Sequence, residues 1–95
     1  MNLEKFEIYK TFSASTAHVN ESDINTLSYG NNFSSYSYEY GIRIYLDDDI
    51  LNRIKIKGLS EGLNLIVIFA LSNGCSYIEL DSDGPIYDKL PVYDW

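Results

Sequence analysis

Two segments of the chain alternate apolar with polar residues and predict β-strands. The first covers residues 6–12 and the second covers residues 36–45. A period of two residues is typical of a strand with one buried face. The dense aromatic and β-branched residues of the second segment also favour a sheet over a helix. If this segment is one strand, one of its faces carries the following five residues: Tyr36, Tyr38, Tyr40, Ile42 and Ile44.

Two short segments predict helices. Asn20 can cap a helix over residues 21–28, whose acidic first turn suits the helix dipole. Residues 50–57 fit either a helical turn or a short strand, because their isoleucines match both periods, and we favour the helix. Between the first helix and the tyrosine-rich segment, residues 29–35 have the composition of a turn. Three residues there can adopt positive φ: Gly30, Asn31 and Asn32.

The longest apolar run predicts the main helix. Ser60 is a good N-cap, and the apolar residues 63–71 surround most of the helix circumference. Gly74 provides a C-terminal stop, and residues 75–80 then predict a buried strand. So short a helix–strand connection is typical of helices that pack on a sheet. We therefore expect residues 1–95 to form one α+β domain, a small two-layer fold of about three strands with two or three helices on one face.

Composition limits the class of protein. A chain of 95 residues with 45% hydrophobic content suits one folded domain and excludes general disorder. Cys75 is the only cysteine, which excludes an internal disulfide and a cysteine-cluster zinc site. A reducing compartment follows, and we expect the cytoplasm of a bacterial host. The apolar runs are too short to span a membrane, and no basic-then-apolar leader opens the chain.

Charge and tyrosine content suggest the kind of partner. Fourteen acidic residues against seven basic ones give a net charge of −7. Phosphate backbones repel such a chain, so we expect a basic protein surface as the partner and no direct binding of nucleic acid. Alternatively, the charge serves only solubility. Nine tyrosines exceed what a small core can bury with every hydroxyl bonded. They suit an interface, or else an outer sheet layer whose hydroxyls reach water.

Several short motifs stand out along the chain: Ser15-Thr16-Ala17-His18 near its start, Tyr40-Gly41 on the predicted tyrosine-rich strand, Gly74-Cys75, Asp81-Ser82-Asp83-Gly84-Pro85 and the terminal Leu90-Pro91-Val92-Tyr93-Asp94-Trp95. Together they resemble a family of short bacterial proteins that are often encoded on plasmids, prophages and similar mobile elements. The family has no established activity, so the resemblance implies a genomic setting and no catalytic residue. Small acidic proteins in that setting are often inhibitors of host defence systems.

Two groups of residues could support chemistry. Asp81 and Asp83 offer oxygen ligands of the kind that Mg²⁺ or Ca²⁺ requires, but Pro85 interrupts the ligand pattern. An Asp-Gly turn whose carboxylates accept backbone N–H bonds is the favoured interpretation. His18 could act as a base for Ser15, yet the chain has no nucleophile elbow, and satisfying backbone groups is the favoured role. We therefore assign no catalytic residue, metal or cofactor.

The hypothesis is a non-enzymatic inhibitor that binds a nucleic-acid-handling defence complex of the host, of anti-CRISPR or antirestriction type. It would be a nucleic-acid mimic if its carboxylates align at phosphate-like spacing. The acidic residues assigned to partner binding are Asp47, Asp48, Asp49, Glu79, Asp81, Asp83 and Asp88. The aromatic anchors are Tyr36, Tyr38, Tyr93 and Trp95. Alternatives are a small metal-dependent or hydrolytic enzyme that uses His18 with Asp81 and Asp83, and a homodimer that pairs tyrosine-bearing surfaces.

Overall fold

The computed structural model describes residues 6–29 and 33–95. Within them, a four-stranded mixed sheet is combined with three α-helices. The elements in chain order are β1 (Thr11–Ser15), a one-turn 3₁₀ helix (Thr16–His18), α1 (Glu21–Tyr29), β2 (Ser35–Tyr38), β3 (Gly41–Tyr45), α2 (Ile50–Ile56), α3 (Glu61–Ser72) and β4 (Tyr77–Asp81). The predicted α+β class and small two-layer fold are confirmed, with one strand more than expected. None of the three α-helices within residues 6–29 and 33–95 combines the length and the apolar character of a membrane-spanning segment.

The strand order is β1-β4-β3-β2, so the last strand of the chain lies inside the sheet. β4 pairs in parallel with β1 and antiparallel with β3. A parallel pair requires a long connection, and the segment from α1 to α3 provides it. Alternate strand residues face the helices and form the core with them. The fully or almost fully buried apolar residues of the strands are Ala14, Ile42, Ile44, Ile78 and Leu80.

The helices begin and end at the residues that local signals predict. Asn20 Oδ1 accepts the backbone N–H of Asp23 at 2.8 Å and so caps α1. The helical interpretation of residues 50–57 is confirmed by α2. Ser60 is the N-cap of α3, and Gly74 after its C-terminus has a φ of +73°. The predicted turn residues Gly30, Asn31 and Asn32 lie outside the described residues.

The prediction for the first strand is wrong in its position. Residues 6–10 are exposed and belong to no strand, whereas β1 begins at Thr11 and includes the small residues up to Ser15. The partner strand determines this placement, because Thr11 pairs with Tyr77 and Ser15 pairs with Asp81, from the first to the last residue of β4. The alternation of apolar and polar residues over 6–12 is a local pattern, and it carries no information about this long-range pairing.

Residues 36–45 form a hairpin, and the prediction of a single strand is wrong. Tyr38 pairs with Gly41 across a two-residue turn. Paired residues on neighbouring strands point to the same face of the sheet, and here even-numbered Tyr38 pairs with odd-numbered Gly41. The even-numbered side chains before the turn therefore lie on the face opposite to the even-numbered side chains after it. Tyr36 and Tyr38 therefore point away from the core, although Ile42 points into it. The tyrosines do not share a face with the buried isoleucines.

Candidate functional site

The sheet face opposite the helices is open to solvent over β2, β3 and β4. Along β3, the exposed residues Arg43 and Tyr45 alternate with the buried Ile42 and Ile44, and along β4 the outward residues are half-buried. We call this surface the outer sheet face. Its residues are Tyr36, Tyr38, Arg43, Tyr45, Tyr77, Glu79 and Asp81. Four of these are tyrosines, so this surface includes a large part of the tyrosine excess seen in the sequence.

Aromatic rings pack against one another at one end of the outer sheet face. The Tyr77 ring contacts Tyr45 and Tyr9 edge to face, with centroid distances of 5.7 and 6.0 Å. The guanidinium of Arg43 lies over the same ring, 4.4 Å from its centroid. Tyr36 remains 71% exposed beside this cluster. The cluster is thus ordered by contacts between side chains and still presents aromatic surface to solvent.

The other end of the outer sheet face is acidic. The hydroxyl of Tyr38 donates to Asp81 Oδ2 at 3.0 Å and lies 3.4 Å from Glu79 Oε1. Desolvation, the hydrogen bond to Asp81 and the negative charge of Glu79 raise the pKa of Tyr38 well above its usual value. The phenol therefore remains a proton donor between two carboxylates. Arg43 lies 4.0 Å from Glu79, so this face has two carboxylates and one guanidinium.

The predicted site residues Asp47, Asp48 and Asp49 lie at the opposite end of the sheet from Asp81. They follow β3, whose last residue pairs with the first residue of β4. A five-residue strand separates the two acidic groups, roughly 13 Å at about 3.3 Å per residue. The structure therefore does not bring these two predicted groups together.

Asp47 also has a cation beside it. Its carboxylate forms an ion pair with Arg53 and accepts the backbone N–H of Asp49 at 3.0 Å. Desolvation raises the pKa of Asp47, but the hydrogen bonds from Arg53 and Asp49 and the charge of Arg53 outweigh it and lower the pKa. The charge of Asp47 is thus largely compensated inside the domain.

The turn after β4 uses its carboxylate for backbone contacts. Asp81 Oδ1 accepts the N–H of Asp83 at 2.8 Å, and the N–H of Gly84 bonds to the carbonyl of Asp81 at 2.9 Å. This is the Asp-Gly turn, with a carboxylate that accepts a backbone N–H bond, that the sequence predicts at this position. Over residues 6–29 and 33–95, no three His, Cys, Asp or Glu side chains are grouped so that they could hold a metal ion. Asp83 and Asp88, both assigned to partner binding, are exposed.

His18 is completely buried and both of its ring nitrogens face backbone groups. Nε2 accepts the N–H of Tyr87 at 2.8 Å, which leaves Nδ1 to donate to the carbonyl of Pro91 at 2.7 Å. The ring also stacks on Tyr87. The hydrolytic alternative gains no support from this geometry, because a base for Ser15 needs a free ring nitrogen.

The C-terminal segment (residues 85–95) is bonded along its length to the rest of the domain. Beyond its bonds to His18, the N–H of Tyr93 donates to Ala17 at 2.8 Å, and the hydroxyl of Tyr93 accepts the N–H of Gly62 at 3.1 Å. The indole Nε1–H of Trp95 donates to the carbonyl of Val19 at 2.9 Å, yet 58% of Trp95 is exposed. Tyr93 therefore serves packing, whereas Trp95 is both anchored and accessible.

Sequence reasoning missed the buried carboxylate of Asp23. It is only 1% exposed and accepts the N–H groups of Asn20 and Ser60 at 3.0 and 2.9 Å, together with the hydroxyl of Ser60. It thereby joins the N-termini of α1 and α3. The spacing of Asn20 and Asp23 matches a reciprocal capping motif, which was the available signal.

No curated protein and no solved structure matches this chain. A family model does match residues 11–95, a range that contains every helix and strand described above. Its description is a family of unknown function (DUF5983), C-terminal domain. That match bears on ancestry and fold, and it brings neither an activity nor a genomic setting. The chain belongs to the DUF5983 family, and its residues 11–95 correspond to the C-terminal domain of that family.

Proposed function

We propose that this domain binds a basic surface of a partner protein with its outer sheet face. One observation carries the proposal: the face has no covering helix in the described structure, and it exposes tyrosines beside carboxylates. Tyr36 and Tyr45 are 71% and 46% exposed. Tyrosine offers a large contact area at a low entropic cost, and it is enriched where proteins meet.

The charges on this face favour a cationic partner. Glu79 and Asp81 contribute two negative charges, and Arg43 is the one cation beside them among the residues of this face. A lysine or arginine of the partner would find unneutralised carboxylate next to aromatic surface. A phosphate backbone would be repelled by the same carboxylates and by the net charge of −7.

In its most specific form, the partner is a basic groove of a host nucleic-acid-handling defence complex, and the domain inhibits that complex. The proposal relies on aromatic anchoring more than on a row of carboxylates at phosphate spacing. The reason is the placement of the acidic groups: Asp47 is paired with Arg53, and the sheet separates it from Asp81.

Affinity capture from a bacterial lysate tests the proposal. The tagged wild-type domain is compared with a face variant, Tyr36→Ser with Glu79→Gln, at low and high salt. The matched control is Tyr29→Ser with Glu21→Gln, which removes one exposed tyrosine and one exposed carboxylate from α1. Thermal unfolding of all three proteins verifies that they are equally folded.

We expect the wild type and the control to retain the same nucleic-acid-handling complex at low salt and to release it at high salt, because exposed charges are screened. The face variant should not retain it. Equal retention by the face variant would contradict the proposal, as would recovery of the domain alone as a defined dimer.

A further inference from the structure

A groove with an exposed tryptophan crosses the end of the sheet where β1 and β4 terminate. It consists of two adjoining hollows of about 310 and 330 Å³, which share Thr16, Ser82 and Trp95 in their walls. Ile86 lines the first hollow, and Glu39 and Tyr40 of the hairpin turn line the second. We call this feature the Trp95 groove. Apart from Tyr38 at its margin, its lining residues do not belong to the outer sheet face.

The aromatic wall of the groove is fixed before any ligand arrives. The bond from Trp95 Nε1–H to Val19 determines the orientation of the indole, and the bond from Tyr93 to Ala17 places the backbone next to it. Tyr40 lines the second hollow with Trp95; its carbonyl accepts the N–H of Ser82 at 2.8 Å, which fixes its backbone, and the residue is 55% exposed. A ring that is already ordered, as the indole of Trp95 is, loses little entropy on binding, and tryptophan and tyrosine dominate the energetics of interfaces.

The charges around the groove complement a cation. Glu39 lines the second hollow, and Asp94 precedes Trp95 and is exposed. Among the described residues, neither hollow has a lysine or arginine in its wall. The nearest arginine on the sheet, Arg43, is engaged with the Tyr77 ring and Glu79. A cation over an indole face gains electrostatic energy from the ring. The carboxylate of Glu39 adds charge complementarity to that attraction.

We propose that the Trp95 groove binds an arginine side chain of a partner polypeptide. The planar guanidinium stacks between Trp95 and Tyr40, and its charge faces Glu39. Arginine suits this groove better than lysine, because its weakly hydrated plane stacks on aromatic faces and forms paired bonds to a carboxylate. This inference goes beyond the outer sheet face and does not depend on it.

The only tryptophan of the chain is in the groove, so its fluorescence reports binding directly. The probe is a blocked five-residue peptide in which two arginines alternate with three glycines, titrated into the millimolar range. The control peptide has citrulline in place of arginine, which retains the shape and removes the charge. The NMR signal of the indole Nε1–H provides a second readout.

We expect saturable changes with the arginine peptide and a markedly weaker response to the citrulline peptide. Tyr40→Ser and Glu39→Gln should each weaken binding by roughly two- to fivefold. Both residues are exposed in a turn, so the variants should fold normally. Tyr36→Ser, on the outer sheet face, should leave the affinity unchanged.

Three results would overturn the inference. They are equal binding of the two peptides, an affinity that neither groove variant changes, and loss of binding in Tyr36→Ser alone. The last result would place the cation on the outer sheet face, so it would count against the groove while supporting the proposed function. Conversely, a groove that binds arginine together with a face variant that still captures its partner would retain this inference and reject the other proposal.

Discussion

The C-terminal segment and the outer sheet face are both rich in aromatic and polar side chains, and they use them in opposite ways. Around the C-terminal segment, side chains bond to backbone groups: His18 meets Tyr87 and Pro91, and Tyr93 meets Gly62. On the outer sheet face, side chains such as Tyr38 and Glu79 meet mainly other side chains. The first arrangement satisfies buried groups that the fold would otherwise leave unpaired. The second arrangement leaves surface available.

The surroundings of Gly62 show that the first region leaves no space for a larger side chain at this position. A Cβ atom at Gly62 would lie 1.9 Å from the carbonyl oxygen of His18 and 2.9 Å from the Tyr93 ring. Only glycine permits α3 to start that near to the backbone of His18, beside the Tyr93 ring. No comparable restriction applies to Tyr36, which is exposed. We therefore expect substitutions in the first region to reduce stability and substitutions in the second to reduce binding alone.

The largest expected effect comes from His18→Ala. It removes a completely buried ring and leaves the N–H of Tyr87 and the carbonyl of Pro91 without partners. The free energy of unfolding should fall by roughly 3–5 kcal/mol, measured by urea denaturation. Tyr36→Ser, the comparison from the other region, should change it by less than about 0.5 kcal/mol. Similar losses in the two variants would remove the distinction between the regions.

The next effect comes from Asp23→Ala, which tests a buried carboxylate that neither region includes. The change leaves the N–H and the hydroxyl of Ser60 without their acceptor, at the start of α3. We expect a loss of roughly 2–3 kcal/mol in urea denaturation, since hydrogen bonds to charged groups are the stronger kind. Asn20→Ala, which removes only the cap of α1, should cost about 1 kcal/mol. If Asn20→Ala proved the more damaging, α1 capping and not the contact with α3 would be the main role of Asp23.

The sequence predicted those parts of the fold that depend on local signals. The caps Asn20 and Ser60 and the stop at Gly74 specify α1 and α3 within a few residues of each position. The hairpin was not predicted, because its turn, Glu39-Tyr40, lacks the Asn-Gly or Asp-Gly signature. Gly41 was the remaining signal, since a Cβ there would lie 1.9 Å from the carbonyl oxygen of Leu80.

The candidate site was predictable only in part, because its geometry depends on contacts between distant segments. The tyrosine excess indicated an exposed aromatic surface. The prediction of a single strand, however, wrongly placed Tyr36 and Tyr38 on the same face as Ile42 and Ile44. The partners of His18 lie 69 and 73 residues further along the chain. No local spacing contains that information, so the sequence could suggest a backbone-satisfying role for His18 without identifying Tyr87 or Pro91.

The smallest expected effect concerns the ion pair of Asp47 and Arg53, which is intermediate between the two regions. It joins two side chains, as on the outer sheet face, yet both are mostly shielded, with exposures of 31% and 25%. Because the folded-state pKa of Asp47 is lowered, its stabilisation is present above the unfolded-state pKa near 4 and disappears as pH falls through the lower folded value. A double-mutant cycle with Asp47→Asn and Arg53→Gln, followed by urea denaturation from pH 7 to pH 2, measures it. The coupling energy should be below about 1 kcal/mol at pH 7 and should vanish in acid. A coupling that grew as the pH fell would show that the carboxylate is not the charged partner of Arg53. Asp47, just before α2, would then be free to bind a cationic protein.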